Sequence, residues 1–121
     1  MKELTKAEEE LMHILWDLGK GFVKDIIACL PEPPPKYTTV STVIRLLEEK
    51  GFVGHTAYGN THEYFPIVSR EIYSEHATKN VMKKYFGGSL KQLVSFFVDK
   101  NDVSDKELAE IQKIIQKNQD L

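Results

Sequence analysis

The chain is poor in the features that make chemistry easy to recognise. It has one cysteine, Cys29, among 121 residues, which excludes an internal disulfide and any multi-cysteine metal site. Cys29 is expected to be a small core residue. No apolar run approaches the length that spans a bilayer, and the amino end opens on a charged helical segment without a signal-peptide pattern. A cytoplasmic location is the expectation that follows. Glycine-rich phosphate loops are missing, and no histidine stands beside a serine or cysteine with a local orienting carboxylate. An enzyme therefore has no local motif to support it, and neither catalytic residues nor a cofactor are expected.

Excess positive charge is missing too. Residues 1–68 contain 7 Lys and Arg against 10 Asp and Glu, and the remainder carries 9 against 8. Proteins that coat nucleic acid generically are basic, because phosphate neutralisation supplies their affinity. That class is excluded.

What is present centres on residues 38–51, TTVSTVIRLLEEKG. Val40, Val43, Ile44 and Leu47 recur at helical spacing and would seat a helix on a core. Thr39, Ser41, Thr42 and Arg45 fall on the opposite side. Thr38 is placed to cap the amino end, and Gly51 supplies the left-handed residue that commonly ends a helix. Alone, this pattern fits any amphipathic helix with a solvated face. The residues that follow change its meaning. Two short runs rich in aromatic and β-branched residues flank Gly59 and Asn60, which predicts a tight hairpin. The two-residue turn pairs Tyr58 with Thr61, Ala57 with His62, Thr56 with Glu63 and His55 with Tyr64, so His55 and His62 share one face as diagonal neighbours. A metal site there lacks a third ligand, since Glu63 points the other way. A helix followed directly by a hairpin is the end of a winged helix, whose helix reads base edges and whose wing touches backbone or minor groove.

Upstream, Thr5 and Glu8 form a capping box that opens a helix with the stripe Leu4, Ala7, Leu11, Ile14, Leu15 and Leu18. Trp16 is expected to anchor the core. Gly19 and Gly21 stop the helix, Phe22 and Val23 are expected to add a short strand to the wing, and a helix from about 24 to 30 carries Ile26, Ile27 and Leu30. Pro31, Pro33, Pro34 and Pro35 then forbid helix. Downstream of Pro66, Ser69 caps a helix to about Phe86, with Ile72, Tyr73, Ala77, Val81, Tyr85 and Phe86 as its apolar side. Gly87 and Gly88 break it. Ser89 with Gln92 and Ser104 with Glu107 open two more helices, the second with Val103 stapled onto Leu108. About fifty residues in three short helices bury too little area to stand alone. Pairing with a second chain solves this and sets two reading helices on one duplex.

The fold class expected is mainly α with a small β-hairpin: a winged helix-turn-helix DNA-binding domain over residues 1–68 and a C-terminal helical dimerisation domain over 69–121. The DNA-binding set is Lys36, Thr38, Thr39, Ser41, Thr42, Arg45, Lys50, Tyr58, Asn60, Thr61 and His62, with Lys20 and Lys24 beside the reading helix. Arg45 is the side chain able to bond a guanine edge bidentately. The dimerisation set is Ile72, Tyr73, Leu90, Leu93, Val94, Phe97, Leu108, Ile111 and Ile115. Two partners are expected, an operator duplex and a second copy of the chain. The rival from another class is a winged-helix adaptor that binds protein.

Over nearly its whole length the chain resembles the penicillinase-repressor (BlaI/MecI) family of bacterial transcription regulators. LTKAEEELMHILWDLG looks like the family's opening helix, YTTVSTVIRLLEEKGFV its recognition helix, NTHEYFPIVSREIY its wing exit and YFGGSLKQLVSFF its dimerisation region. The resemblance implies a homodimer that binds a pseudopalindromic operator and blocks transcription, typically of β-lactam resistance genes, with release by proteolysis downstream of a membrane sensor protease. Carboxy-terminal cysteines that serve copper sensing in some relatives are lacking here. Two positions depart from the pattern. Ser41 and Leu46 stand where family members often carry basic residues, which puts the usual operator in question. Phe96 and Phe97 stand where proteolytically released members have Asn followed by Phe, which puts cleavage there in question.

Overall fold

A computed structural model describes residues 1–119. Its first helix, α1 (Lys6–Leu18), starts as the sequence requires: Thr5 Oγ1 accepts the Glu8 amide at 3.2 Å, and Glu8 Oε1 accepts the Thr5 amide at 2.8 Å. The face it buries is rotated from the predicted stripe. Glu8, Leu11, Met12 and Leu15 go inward, while Leu18 is 42% exposed. Met12 fills the core, and Glu8 is drawn in by Lys50, whose Nζ lies 2.6 Å from Glu8 Oε1.

A two-residue strand, β1 (Gly21–Phe22), leads straight into α2 (Val23–Ala28). Asp25 Oδ2 accepts the Phe22 amide at 2.9 Å and so fixes this tight junction. Both elements end or begin slightly earlier than expected, and Cys29, just past α2, is exposed rather than a core residue. The proline stretch passes outside helix and strand into α3 (Tyr37–Glu49). Lys36 occupies the N-cap position without a side-chain bond, so Thr38 lies inside the first turn and is not the cap; its carbonyl accepts the Thr42 hydroxyl at 2.9 Å. Gly51, at φ 83°, carries the chain out of α3.

The hairpin β2 (Val53–Tyr58) and β3 (Thr61–Pro66) has the predicted register throughout. β1 pairs antiparallel on the other side of β3, giving a three-stranded sheet in the order β1-β3-β2. One core joins the helices to the sheet: Leu11, Met12 and Leu15 meet Val23, Ile26, Val40, Ile44 and Leu47, and Phe52, Val53 and Tyr64 close it from the wing side. Trp16 packs against this core and donates its indole N–H to the Val68 carbonyl at 2.9 Å.

The next helix, α4 (Arg70–Phe86), begins where Ser69 Oγ accepts the Ile72 amide at 3.2 Å. The chain divides into two compact units after Ala77, not after residue 68. The reason is Tyr73. It was expected at the dimer interface, but it is 7% exposed, its ring packs on Phe52 and Trp16, and its hydroxyl donates to Glu9 Oε2 at 2.8 Å. The first turns of α4 thus complete the winged unit.

The second unit contains the rest of α4, then α5 (Leu90–Asp99) and α6 (Asp105–Gln119). Ser89 Oγ accepts the Gln92 amide at 3.2 Å and Ser104 Oγ the Glu107 amide at 3.1 Å, the forward half of each predicted capping box. Phe96 packs edge-on against Phe86 and Phe97. No described residue of α5 or α6 is buried.

Candidate nucleic-acid interface

The amphipathic design of α3 decides which of its side chains face solvent. Val40, Ile44 and Leu47 are at most 2% exposed. With one side thus committed, the helical period turns Thr38, Ser41, Thr42 and Arg45 toward the wing. These four line a cleft of about 370 Å³ together with Tyr37 and Val23 on the helical side and Asn60, His62 and Tyr64 on the wing. Arg45 is exposed and donates Nε–H to the Ser41 carbonyl at 3.2 Å, which steadies the guanidinium along the helix. A second cleft of about 280 Å³ adjoins it, lined by Phe22, Val23, Lys24, Tyr37, Thr61 and His62.

Six of the predicted residues therefore meet on one concave surface: Thr38, Ser41, Thr42, Arg45, Asn60 and His62. Thr61 and Tyr58 sit at the wing tip, where the Thr61 hydroxyl donates to the Tyr58 carbonyl at 2.8 Å and the Tyr58 ring packs against Phe22. Thr39 falls on the other side of α3, in a groove with Ala7, Glu10, Pro33 and Pro35. Lys50 is withdrawn: beyond its ion pair with Glu8, its Nζ donates to the Glu3 carbonyl at 3.3 Å. Lys20 lies 3.8 Å from Glu63 on β3. Lys36 is exposed at the amino end of α3, and Lys24 lines the second cleft.

Sequence reasoning missed Tyr37 and Tyr64. Tyr37 is 57% exposed at the first position of α3, and its aromatic ring borders both clefts. Tyr64 is nearly buried; burial raises its phenol above the ordinary 10, with the Glu48 charge adding and Arg45 opposing. The signal for Tyr37 was its place directly after Lys36 at the mouth of the helix.

The acidity of this half of the chain also has a structural explanation. Glu8 is paired with Lys50, Glu9 accepts from Tyr73, Asp17 holds Arg70, Asp25 caps Phe22, Glu48 meets His55 and Glu63 faces Lys20. Much of the negative charge is thus spent on internal contacts.

The geometry is that of a winged helix-turn-helix, and comparison with known proteins places it. The penicillinase repressor family model matches residues 4–117. The chain belongs to the penicillinase repressor family. Among its relatives, the methicillin resistance regulatory protein MecI of Staphylococcus aureus is 30% identical over 118 residues, covering 95% of this chain and 94% of the relative. The penicillinase repressor of Bacillus licheniformis is 24% identical over 119 residues, covering 96% of this chain and 91% of the relative. Among solved structures, the solution structure of the DNA binding domain of the repressor BlaI matches 60% of this chain and 94% of its own, with a TM-score of 0.51 and 25% identity. The family's members are transcriptional repressors, which decides against the protein-binding adaptor. No helix among the described residues is long and apolar enough to cross a membrane.

Proposed function

We propose that this DNA-binding transcriptional repressor grips a pseudopalindromic operator as a homodimer, each subunit entering the major groove with α3 and resting its wing on the adjoining backbone. The observation that carries the proposal is the cleft that joins Thr38, Ser41, Thr42 and Arg45 of α3 to Asn60 and His62 of the wing. Hydroxyls and a guanidinium on a helix, beside a hairpin with polar tip residues, match the division between base edges and phosphates. The exposed apolar side chains Leu90, Phe96, Phe97, Ile114 and Ile115 support pairing through the carboxy-terminal helices. Leu93, Val94, Leu108 and Ile111 are half-buried on the same helices, and Ile72 is 54% exposed on α4. A second subunit doubles the few cations that each winged unit offers.

The MecI relatives support resistance genes against β-lactams as the regulated class; the site of action in this reading is the cytoplasm, where an operator duplex is met. A membrane sensor protease system is the releasing partner that the family resemblance implies, and Phe96 and Phe97 on α5 are the positions where its cut would fall. The test is recovery of sheared genomic DNA on the purified protein, followed by sequencing and salt titration. Enrichment of promoter fragments with inverted half-sites, and an affinity that falls steeply with added salt, are expected. Recovery without sequence preference would contradict the proposal.

A further inference from the structure

His62 at the cleft is one of a pair of imidazoles whose joint placement DNA contact alone does not require. The His55 and His62 rings stack face to face, their centroids 4.1 Å apart and their planes 7° from parallel. His55 Nδ1 lies 2.6 Å from Glu48 Oε2 on α3. The Tyr64 ring stands against both, at 5.7 and 6.1 Å. A chain of contacts therefore runs from the reading helix through His55 to His62, and His62 is the member that lines the cleft beside Tyr37 and Arg45.

We infer that Glu48 and His55 are positioning residues that hold the His62 imidazole at the cleft, and that the stacked pair takes up one proton when the phosphate backbone of a duplex enters. The inference rests on the DNA-binding reading above. Histidine is the side chain whose charge ordinarily changes between about pH 5 and pH 8. Its neighbours come from every element around it: the Glu48 carboxylate and the Arg45 guanidinium on α3, the Tyr37 and Tyr64 phenols, and the Lys24 ammonium beside the second cleft. An arriving phosphate neutralises the two cations and offers an acceptor for an imidazolium N–H, so it favours the charged ring. The proton comes from solvent and settles on a ring nitrogen; no other bond forms or breaks. Two charged rings this close would repel, which limits the pair to one proton.

The test uses the full chain and a duplex that it selects from a random-sequence library. If phosphate raises the proton affinity of each pair about tenfold, DNA affinity falls by up to about tenfold per engaged wing between about pH 6 and pH 8. His62→Gln is expected to abolish that dependence. Glu48→Ala should weaken it, and Glu48→Gln, which keeps an acceptor for His55, should restore it. In the wild type, the imidazole proton resonances of the pair should titrate at higher pH in the complex than in the free protein, a readout that needs no variant. A pH dependence unchanged in His62→Gln, or imidazole titrations unmoved by DNA, overturns the inference and leaves the repressor reading intact. Failure of the wild type to select any duplex overturns both.

Discussion

Arg45 lies on α3 and Lys50 is its C-cap residue, five positions on, and the two side chains are placed differently: Arg45 lines the cleft, whereas Lys50 is paired with Glu8. Lys50 reads from sequence as a phosphate contact, because its partner Glu8 lies 42 positions away and no local spacing announces it. Glu8 is 2% exposed, and burial pushes its carboxyl up, but bonds from Lys50 and Thr5 outweigh that and hold it below its ordinary 4.5. The sign follows: the pair's contribution is full above the usual glutamate range and is lost as pH falls below 4.5 through the lowered folded value. Lys50→Met should cost about 2 kcal/mol at neutral pH, less than a fully buried pair because the Lys50 side chain is 24% exposed. Melting temperatures of the variant and the wild type should converge in acid, while DNA affinity of the folded variant stays close to normal. A variant that melts normally but loses DNA would return Lys50 to the phosphate. Arg45 is exposed on the side of α3 where helical spacing put it, and its contact with a base remains the proposal. Arg45→Ala should weaken binding to a selected operator by about 1–3 kcal/mol and leave thermal unfolding unchanged; an unaltered footprint would contradict its role.

At the scale of elements, the wing was the most legible part. A two-residue Gly-Asn turn permits one register, and alternation then fixes every partner across β2 and β3. Gly59 sits at φ 60°, a conformation that an L side chain adopts at a cost of about 1–2 kcal/mol. Gly59→Ala should lower stability by about that amount, speed amide exchange around Tyr58 and Thr61, and weaken DNA binding by misplacing Asn60 and His62. Unchanged exchange at the tip would show that the turn tolerates the substitution. The helices were less legible where one residue serves two ends. Glu8 closes a capping box and is also a buried ion-pair partner, which rotates the buried face of α1. Tyr73 lies on an apolar stripe that continues along α4, so periodicity alone could not divide the residues packed on the winged core from those beyond it.

For the whole molecule, the central quantity is the number of chains per duplex. The winged unit has a built core and a reading cleft, whereas α5 and α6 have no buried residue among those described. Leu90, Phe97 and Ile115 on these helices are exposed, and the proposed pairing with a second copy would take them out of water. Phe97→Glu is therefore expected to yield monomers that retain the winged fold and bind an operator far more weakly. Sedimentation of the wild-type chain with one duplex selected from the genome, at physiological salt, tests this most directly. Two chains per duplex are expected, with protected half-sites one helical turn or a whole multiple apart. A single chain bound to each duplex with wild-type affinity would contradict the symmetric grip.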